Sequence, residues 1–310
     1  MITLQEVLDE QKDLPKLCAK RGNPTIDAFH GNGYYGVADI YKTYAEVPLN
    51  KPLNGIVPHG VGFDPKWVWS GAAKANVPYI YCYPDHCQKQ YKRDTNKKVI
   101  LSASPFVYVM EMLKNQPKPE RRGTLFLPLH STRFVIIQQD YEELANLLLT
   151  FDEKYQPVHV CIYWRDRLLG AAKPFQSKGI PVVSAGHMFD RLFMYRLYHL
   201  FSQYQYTSSN LQSNSLLYGV KAGCTFFHTR LPFKPVASAR ILKRDAGNIN
   251  TKHMTKLGRA FAPRSDTTGA FLWEERNDTT TPEQKRLVDY YLGTAHLKTK
   301  KQMRHDMSLT

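Results

Sequence analysis

The stretch Gly123-Thr-Leu-Phe-Leu-Pro-Leu-His130-Ser131-Thr132 has the pattern of a buried strand that ends in a polar loop. Its apolar residues run without alternation, which is typical of a strand covered on both faces. Four later segments share this pattern, and segments of helical length and periodicity separate them. Strands that alternate with helices predict a parallel, doubly wound α/β sheet. The later strand candidates are residues 159–164, 181–186, 205–210 and 224–228, and the helix candidates are 140–154, 168–178, 190–202 and 213–222.

Polar residues follow the predicted strands, at the sheet edge where open α/β sheets bind ligands. An arginine suits phosphate, a glycine admits close approach of a ligand to the backbone, and hydroxyls beside a helix N-terminus favour an anion. A histidine can donate a hydrogen bond to a phosphate. For Ser213 and Arg165 the alternatives are a simple helix cap and an ordinary solvated helix start. The predicted ligand-binding residues are His130, Ser131, Thr132, Arg133, Arg165, Gly186, His187, Ser208, Ser209, Asn210 and Ser213.

The first third of the chain has the pattern of a second α/β unit. We predict strands at 25–30, 55–58, 79–83 and 98–102, and helices at 35–44 and 67–75, after an N-terminal helix within 1–22. Two strand ends carry imidazole and carboxylate groups that suit a general base for a hydroxyl acceptor. These candidates are His59, Asp64 and Asp85. The spacing Gly31-x-Gly33-x-x-Gly36 is only a weak dinucleotide signal, because no acidic residue marks the end of a second strand about 20 positions later.

The polar, proline-containing stretch 113–123 predicts a domain boundary. We expect an α/β domain over 1–115, a nucleotide-binding domain over 123–235 and a basic C-terminal region over 236–310. In that last region Thr281-Pro282-Glu283 predicts a helix start. The fold class we predict is α/β, with two Rossmann-like domains that face a cleft.

The chain of 310 residues is strongly basic, with 42 Lys and Arg against 27 Asp and Glu and a net charge of +15. The excess is concentrated: residues 230–264 hold nine basic residues and a single acid, Asp245. Such a surface attracts polyanions, which include nucleic acid, anionic lipid and nucleotide-linked substrates, although a solvated basic face is the plain alternative.

Several functional classes lack their sequence signals. No run reaches the roughly 18 apolar residues of a membrane span, and the N-terminus lacks the layout of a signal peptide. The five cysteines are scattered, and Cys82 and Cys87 have no second ligand pair for zinc. Neither a Gly-x-Ser-x-Gly elbow nor a phosphate-binding Gly-x-x-x-x-Gly-Lys loop is present. We therefore expect a cytoplasmic protein with no metal and no cofactor.

Together these motifs resemble GT-B-type glycosyltransferase-like proteins of bacterial capsule and O-antigen loci. A looser similarity extends to bacterial transferases that use CMP-linked sialic acid or related keto-sugar acids. The resemblance covers about two thirds of the chain, residues 23–228. The residues that carry it are Phe29-His-Gly-Asn-Gly-Tyr-Tyr-Gly36, Pro58-His-Gly60, Ser104-Pro-Phe106, Leu127-Pro-Leu-His-Ser-Thr132, Val160-Cys-Ile-Tyr-Trp-Arg-Asp166, Ser184-Ala-Gly-His187 and Ser209-Asn210.

This resemblance implies transfer of a sugar from a CMP- or NDP-sugar to a glycan hydroxyl in surface polysaccharide synthesis. The nucleotide sugar is a substrate, and the nucleotide-binding domain over 123–235 holds it. In that domain His187 corresponds to the family's histidine, and Ser208 and Ser209 correspond to its hydroxyl pair. His59 or an aspartate takes the acceptor proton. The basic C-terminal region then meets an anionic membrane surface or an acidic, lipid-linked acceptor. Two alternatives stay open: a catalytically inactive binding or scaffold protein, and a polyanion- or nucleic-acid-binding protein, for which no recognised nucleic-acid motif is present.

Overall fold

The computed structural model describes residues 13–62, 70–132, 135–211, 213–237 and 278–309. Its first unit is built on a parallel sheet of three strands in the order β1 (Gly55–Ile56), β2 (Tyr79–Cys82) and β3 (Lys98–Leu101). A short 3₁₀ helix, His30–Gly36, leads into this unit. The α-helices described here are α1 (Leu14–Leu17), α2 (Val37–Ala45), α3 (Ser70–Lys74), α4 (Asp85–Asp94) and α5 (Pro105–Leu113).

The second unit contains a five-stranded parallel sheet in the order β7-β6-β4-β8-β9. From β4 the chain adds β6 and β7 on one side and then β8 and β9 on the other, so the strand order reverses between β4 and β8, as in a doubly wound fold. The strands are β4 (Thr124–Phe126), β6 (Val158–Cys161), β7 (Val182–Val183), β8 (Tyr206–Ser209) and β9 (Thr225–His228). Its helices are α6 (Tyr141–Leu149), α7 (Trp164–Leu168), α8 (Lys173–Ser177), α9 (Phe193–Gln203) and α10 (Asn214–Lys221), with a 3₁₀ turn at Glu153–Tyr155. The predicted parallel α/β architecture is confirmed, and all five predicted strands of this sheet are present.

An antiparallel pair of strands, which the sequence pattern did not predict, flanks this sheet. Strand β5 (Val135–Gln139) pairs with β10 (Phe233–Ala237), so that Val135 lies opposite Ala237 and Gln139 opposite Phe233. The pair joins the loop after β4 to the segment after β9. It thereby ties both ends of the second unit together.

The predicted strand at 25–30 is wrong. Asp27 has no partner strand; its carboxylate accepts hydrogen bonds from the Leu53 backbone N–H at 2.9 Å and from the buried Lys42 ammonium at 2.6 Å. His30 then begins the 3₁₀ helix. The glycine motif that ends at Gly36 therefore does not follow a strand, and its dinucleotide-like spacing has no matching local structure.

One hydrophobic cluster runs through both units and the C-terminal helices. Phe106 of α5 stacks on Tyr218 of α10 with ring centroids 4.5 Å apart, across the predicted domain boundary. Helix α11 (Pro282–Tyr291) begins with the predicted Thr281 cap, and α12 (Lys300–Leu309) follows a 3₁₀ turn at Thr294–His296. These helices return to the first unit, because the Ser104 N–H donates to the Leu292 carbonyl at 2.9 Å. None of the helices in the described ranges is long and apolar enough to cross a membrane.

Candidate functional site

A cavity of about 790 Å³ lies where the carboxyl ends of the two parallel sheets meet. The loop after β1 contributes His59, and the loop after β2 contributes Tyr83. From the second unit come His130 after β4, Arg165 after β6 and His187 after β7. Both units thus contribute residues that follow their strands to one site, at the sheet edge where open α/β sheets bind ligands.

The cavity wall is cationic and aromatic. Among the described residues that line it, none is a carboxylate, whereas Lys20, Arg21 and Arg165 bring positive charge. A site of this composition favours an anion that carries a flat ring. The aromatic and imidazole side chains of the lining are Tyr34, Tyr35, His59, Tyr83, Tyr91, His130, Tyr163, Trp164, His187 and Phe189.

His187 is fixed as a neutral hydrogen-bond donor. Its Nδ1 accepts the Phe189 backbone N–H at 3.0 Å, so Nδ1 carries no proton. Burial, together with the charge of Arg21, lowers the pKa of His187 to about 4, and the ring is therefore neutral at pH 7. The remaining proton must lie on Nε2. Gly186, at φ 104°, makes the turn that brings the histidine here, and Trp164 packs on the imidazole with centroids 4.0 Å apart.

Arg21 is held at the cavity by a buried carboxylate. Asp190 Oδ2 lies 2.7 Å from Arg21 Nη1 and 3.0 Å from Arg196 Nη1. Arg196 is fully buried, whereas Arg21 lines the cavity. Asp190 therefore pairs with one arginine of the core and one arginine of the cavity. The sequence analysis did not select Arg21 or Asp190. Arg21 was missed because it does not follow a predicted strand. Asp190 was missed because an aspartate at the start of a predicted helix is an ordinary helix cap.

The backbone N–H that follows His130 binds a buried carboxylate. Asp166 is 3% exposed and accepts the Ser131 backbone N–H at 3.2 Å and 3.0 Å with its two oxygens. Burial raises the pKa of Asp166, and hydrogen bonds from Ser131 oppose that rise. Burial lowers the pKa of His130, and the negative charge of Asp166 opposes this decrease. The His130 ring packs on Tyr163 with centroids 4.2 Å apart, and its Nδ1 lies 3.3 Å from the Ser131 carbonyl oxygen.

The other predicted residues after β4 and β6 are divided between wall and scaffold. Thr132 lines the cavity and accepts the Val135 N–H with Oγ1 at 3.2 Å. Ser131 is buried, and its Oγ accepts the Ile137 N–H at 2.9 Å. Arg165 lines the cavity, and its buried Nε has no hydrogen-bond partner among the described residues. Arg133 lies outside the described residues.

The predicted hydroxyl cluster at the carboxyl end of β8 is buried and does not line the cavity. Ser208 Oγ lies 2.6 Å from Thr229 Oγ1, and Ser209 Oγ accepts the Leu211 N–H at 3.3 Å. Asn210 accepts the Leu129 N–H at 2.8 Å and donates to Gln139 Oε1 at 2.6 Å. Each of these side chains already has a hydrogen-bond partner within the fold. A role for them in ligand binding stays a prediction.

The helix after this cluster does reach the cavity. Ser213 caps α10 by accepting the Ser215 N–H, and the next residue, Asn214, lines the cavity. Asn214 Oδ1 accepts the Val61 N–H of the first unit at 3.1 Å. Asn214 therefore joins the loop after β1 to the second unit.

The three predicted bases have different locations. His59 lines the cavity edge-on to Tyr34, with centroids 4.9 Å apart, and burial lowers its pKa to about 4. Asp85 is outside the lining and pairs with His296 Nε2 at 2.9 Å. Asp64 lies outside the described residues. Of the two that the structure describes, His59 lies at the cavity and Asp85 does not.

Tyr35 is a cavity residue that the sequence analysis did not select. Its φ of 57° is in the left-handed region, which is costly for a tyrosine and is frequent at functional sites. The Tyr35 N–H donates to the Met188 carbonyl at 2.6 Å, and its hydroxyl lies 3.2 Å from that of Tyr163. These contacts hold the first unit against the second. No local sequence signal marks a non-glycine residue for this conformation.

Within the described ranges, no group of three or more His, Cys, Asp or Glu side chains is placed to hold a metal ion. In comparisons with known proteins, no family model matches the chain. No curated protein matches it either. The class of site is therefore defined by the fold and by the cavity: a cationic, aromatic cleft at the carboxyl ends of two parallel sheets.

Proposed function

We propose that the protein is a glycosyltransferase of the GT-B type, which moves a sugar from a CMP- or NDP-sugar donor to a glycan hydroxyl. The observation that carries this proposal is the cavity between the two sheets, cationic, rich in aromatic rings and without a carboxylate among its described lining residues. Its volume of about 790 Å³ falls within the range of roughly 300–1,000 Å³ that small-molecule sites occupy.

The cations of the cavity suit a phosphate leaving group. When the bond between the sugar and the phosphate breaks, negative charge grows on the phosphate oxygen, and fixed donors lower the barrier to that step. Arg21, Arg165 and the Nε2–H of His187 are such donors. Because fixed cations supply this charge, we propose that the reaction needs no metal and no cofactor.

The arrangement of the two sheets supports the GT-B assignment. In that assignment the second unit, with its strand order β7-β6-β4-β8-β9, holds the donor nucleotide. The first unit contributes the acceptor side, from the loop that carries His59. Aromatic rings such as Trp164 and Phe189 offer faces for the nucleobase.

The acceptor and its location follow from charge and from the family resemblance. A glycan or a lipid-linked glycan is the acceptor that we propose, in the synthesis of a surface polysaccharide such as capsule or lipopolysaccharide. The basic residues of 230–264 would bring the enzyme to an anionic membrane surface from the cytoplasmic side.

Thermal stability in the presence of CMP, CDP, UDP, GDP and ADP tests the proposal. We expect one nucleotide to raise the unfolding temperature, since a ligand at 100 times its Kd adds about 2.7 kcal/mol to the stability. Inorganic phosphate at the same concentration is the control for a general anion effect. If none of the five nucleotides stabilises the protein more than phosphate does, the transferase proposal is overturned.

Matched variants locate the nucleotide. Arg165→Ala removes a cation of the cavity and should weaken nucleotide binding at least tenfold, about 1.4 kcal/mol, because a charged hydrogen bond to phosphate is lost. Arg167→Ala removes the same charge from the same helix outside the lining and should leave binding unchanged. Ser208→Ala with Ser209→Ala tests the hydroxyl pair separately. Salt-dependent binding of nucleic acid by the unliganded protein would instead favour the polyanion-binding alternative.

A further inference from the structure

Two histidines of the cavity present opposite hydrogen-bonding properties to a ligand. The Nδ1 of His187 accepts a backbone N–H, so its Nε2 is the protonated nitrogen. The Nδ1 of His130 instead faces a carbonyl oxygen, that of Ser131, at 3.3 Å. A carbonyl can only accept, so this nitrogen of His130 carries the proton and Nε2 holds the lone pair. Two other rings, Tyr163 and Trp164, lie between the two imidazoles, in contacts of 4.2, 5.9 and 4.0 Å between centroids.

We propose that His130 is the general base of the transfer reaction and that Asp166 is its positioning residue, while His187 keeps the donor role toward the phosphate that is given above. This inference rests on the function proposed above. It names His130 as the group that takes the proton of the acceptor hydroxyl. It assigns to His130 the role that the sequence suggested for His59, Asp64 or Asp85.

The surroundings of His130 favour this role. A base that takes a proton becomes an imidazolium, which a nearby carboxylate stabilises. Asp166 supplies that carboxylate, and the two hydrogen bonds from the Ser131 N–H fix its orientation. The titratable and charged groups around the pair, among the described residues, are Arg165 and Tyr163 on the side of α7, Tyr35 through the Tyr163 hydroxyl, and Tyr141 beside Asp166.

The proton balance of the step is complete. The acceptor hydroxyl gives its proton to His130 Nε2 while its oxygen forms the new bond to the anomeric carbon. The bond from that carbon to the phosphate oxygen breaks, and the electron pair stays on the phosphate. The Nε2–H of His187 and the guanidinium of Arg165 stabilise the new negative charge. His130 then returns its proton to solvent.

The tautomers are tested directly by long-range ¹H–¹⁵N NMR of the full-length protein at pH 7, with the eleven histidines labelled. His130→Gln and His187→Gln assign the two signals. We expect His130 to carry its proton on Nδ1 and His187 on Nε2. A His130 protonated on Nε2 alone overturns the proposal, and so does a His187 protonated on Nδ1 alone. This result does not depend on whether a nucleotide binds.

Release of nucleotide from CMP-, UDP- and GDP-sugars, with water as acceptor, tests the roles. His130→Gln should lower the rate about 10²–10⁴-fold, the usual contribution of a general base, with nucleotide affinity within twofold of the wild type. Asp166→Asn should lower the plateau rate and shift the acidic limb of the pH–rate profile to lower pH. The reason is that His130 loses the anion that supports its protonation.

The outcomes separate this inference from the function on which it rests. Wild-type release of nucleotide that His130→Gln leaves intact overturns the base assignment while the transferase proposal stands. A His130→Gln variant that loses nucleotide binding makes His130 a binding residue and equally overturns the assignment. A wild-type protein that neither binds a nucleotide nor releases one overturns the transferase proposal, and the role of His130 falls with it.

Discussion

His187 illustrates how one residue can combine a cavity role with a cost in stability. The ring is buried and packs on Trp164, and its Nδ1 accepts a hydrogen bond from a backbone N–H. Such a histidine is neutral when folded, whereas in the unfolded chain it takes up a proton below about pH 6.5. The same geometry that makes it a donor at neutral pH therefore makes the fold sensitive to acid.

We expect the stability of the protein to fall as the pH decreases from about 6.5 to 4, with His187 as a contributor. Burial lowers the folded-state pKa of His187 to about 4, below its unfolded value, so the unfolded chain binds more protons in this range. In His187→Gln, the pH slope of the free energy of unfolding should decrease by at most about 1.4 kcal/mol per pH unit. Urea unfolding at pH 7, 5.5 and 4.5 measures it.

His305→Gln is the matched control, because it removes an exposed histidine of α12 in place of a buried one. An unchanged slope in His187→Gln would contradict the account. His59, whose burial also lowers its pKa to about 4, contributes to the slope in the same direction.

Strand-end positions indicated several residues that line the cavity, and their role in ligand binding stays a prediction. His130, Thr132, Arg165 and His187 line the cavity because each follows a parallel strand of the same sheet. The sequence could not predict which way a side chain points. Ser208 and Ser209 are the last two residues of β8, but they are buried and bond to Thr229 and to the Leu211 N–H.

At the scale of elements, glycine and proline decided several boundaries. Of the predicted helix 168–178, Leu168 ends α7 and only Lys173–Ser177 forms a helix of its own, because Gly170 with φ 89° interrupts the chain and Pro174 lies in the first turn of α8. The antiparallel pair β5 and β10 was missed because its strands lie nearly 100 residues apart in the chain. A pairing of that kind leaves no local signal in the sequence.

Gly36 is a junction between the two units. Its φ is 67°, and a Cβ there would lie 2.6 Å from the Arg191 carbonyl oxygen. Gly36→Ala should therefore lower the free energy of unfolding by more than about 1–2 kcal/mol, the cost of the left-handed conformation alone. Urea unfolding with unchanged m-value would show the loss.

Gly22→Ala provides the control, since nothing lies within 4 Å of a Cβ at Gly22. That variant should be neutral or slightly stabilising, because alanine reduces the entropy of the unfolded chain. Equal stabilities of the two variants would argue against a tight junction at Gly36.

At the scale of the whole molecule, the shared core couples the units. The cluster that contains Phe106, Leu125 and Tyr218 also includes Val288 and Met303 of the C-terminal helices. The predicted boundary at 113–123 therefore separates two sheets, while one hydrophobic cluster crosses it; each unit also has a smaller cluster of its own, around Ile80 in the first and Phe126 in the second. This shared cluster joins the two units that form the cavity.

We expect β2 and β8 to open with the same free energy in native-state hydrogen exchange. Phe106→Ala should lower both values together, by about 3–5 kcal/mol, since it leaves a cavity in the common core. Leu149→Ala, at a residue that is 52% exposed, should change neither value by more than about 0.5 kcal/mol. Loss of protection in β2 while β8 keeps its own would show that the units unfold independently.

The sequence by itself determined the parallel α/β class, most strands and the polar strand ends, because these depend on local periodicity and on residues next to one another in the chain. Only the tertiary structure decided which of those polar residues share a cavity. Arg21 reaches it through Asp190, and His130 gains its carboxylate from Asp166, 36 positions away. Such pairings depend on how two sheets and their loops pack, and packing is a property of distant segments that no local pattern contains.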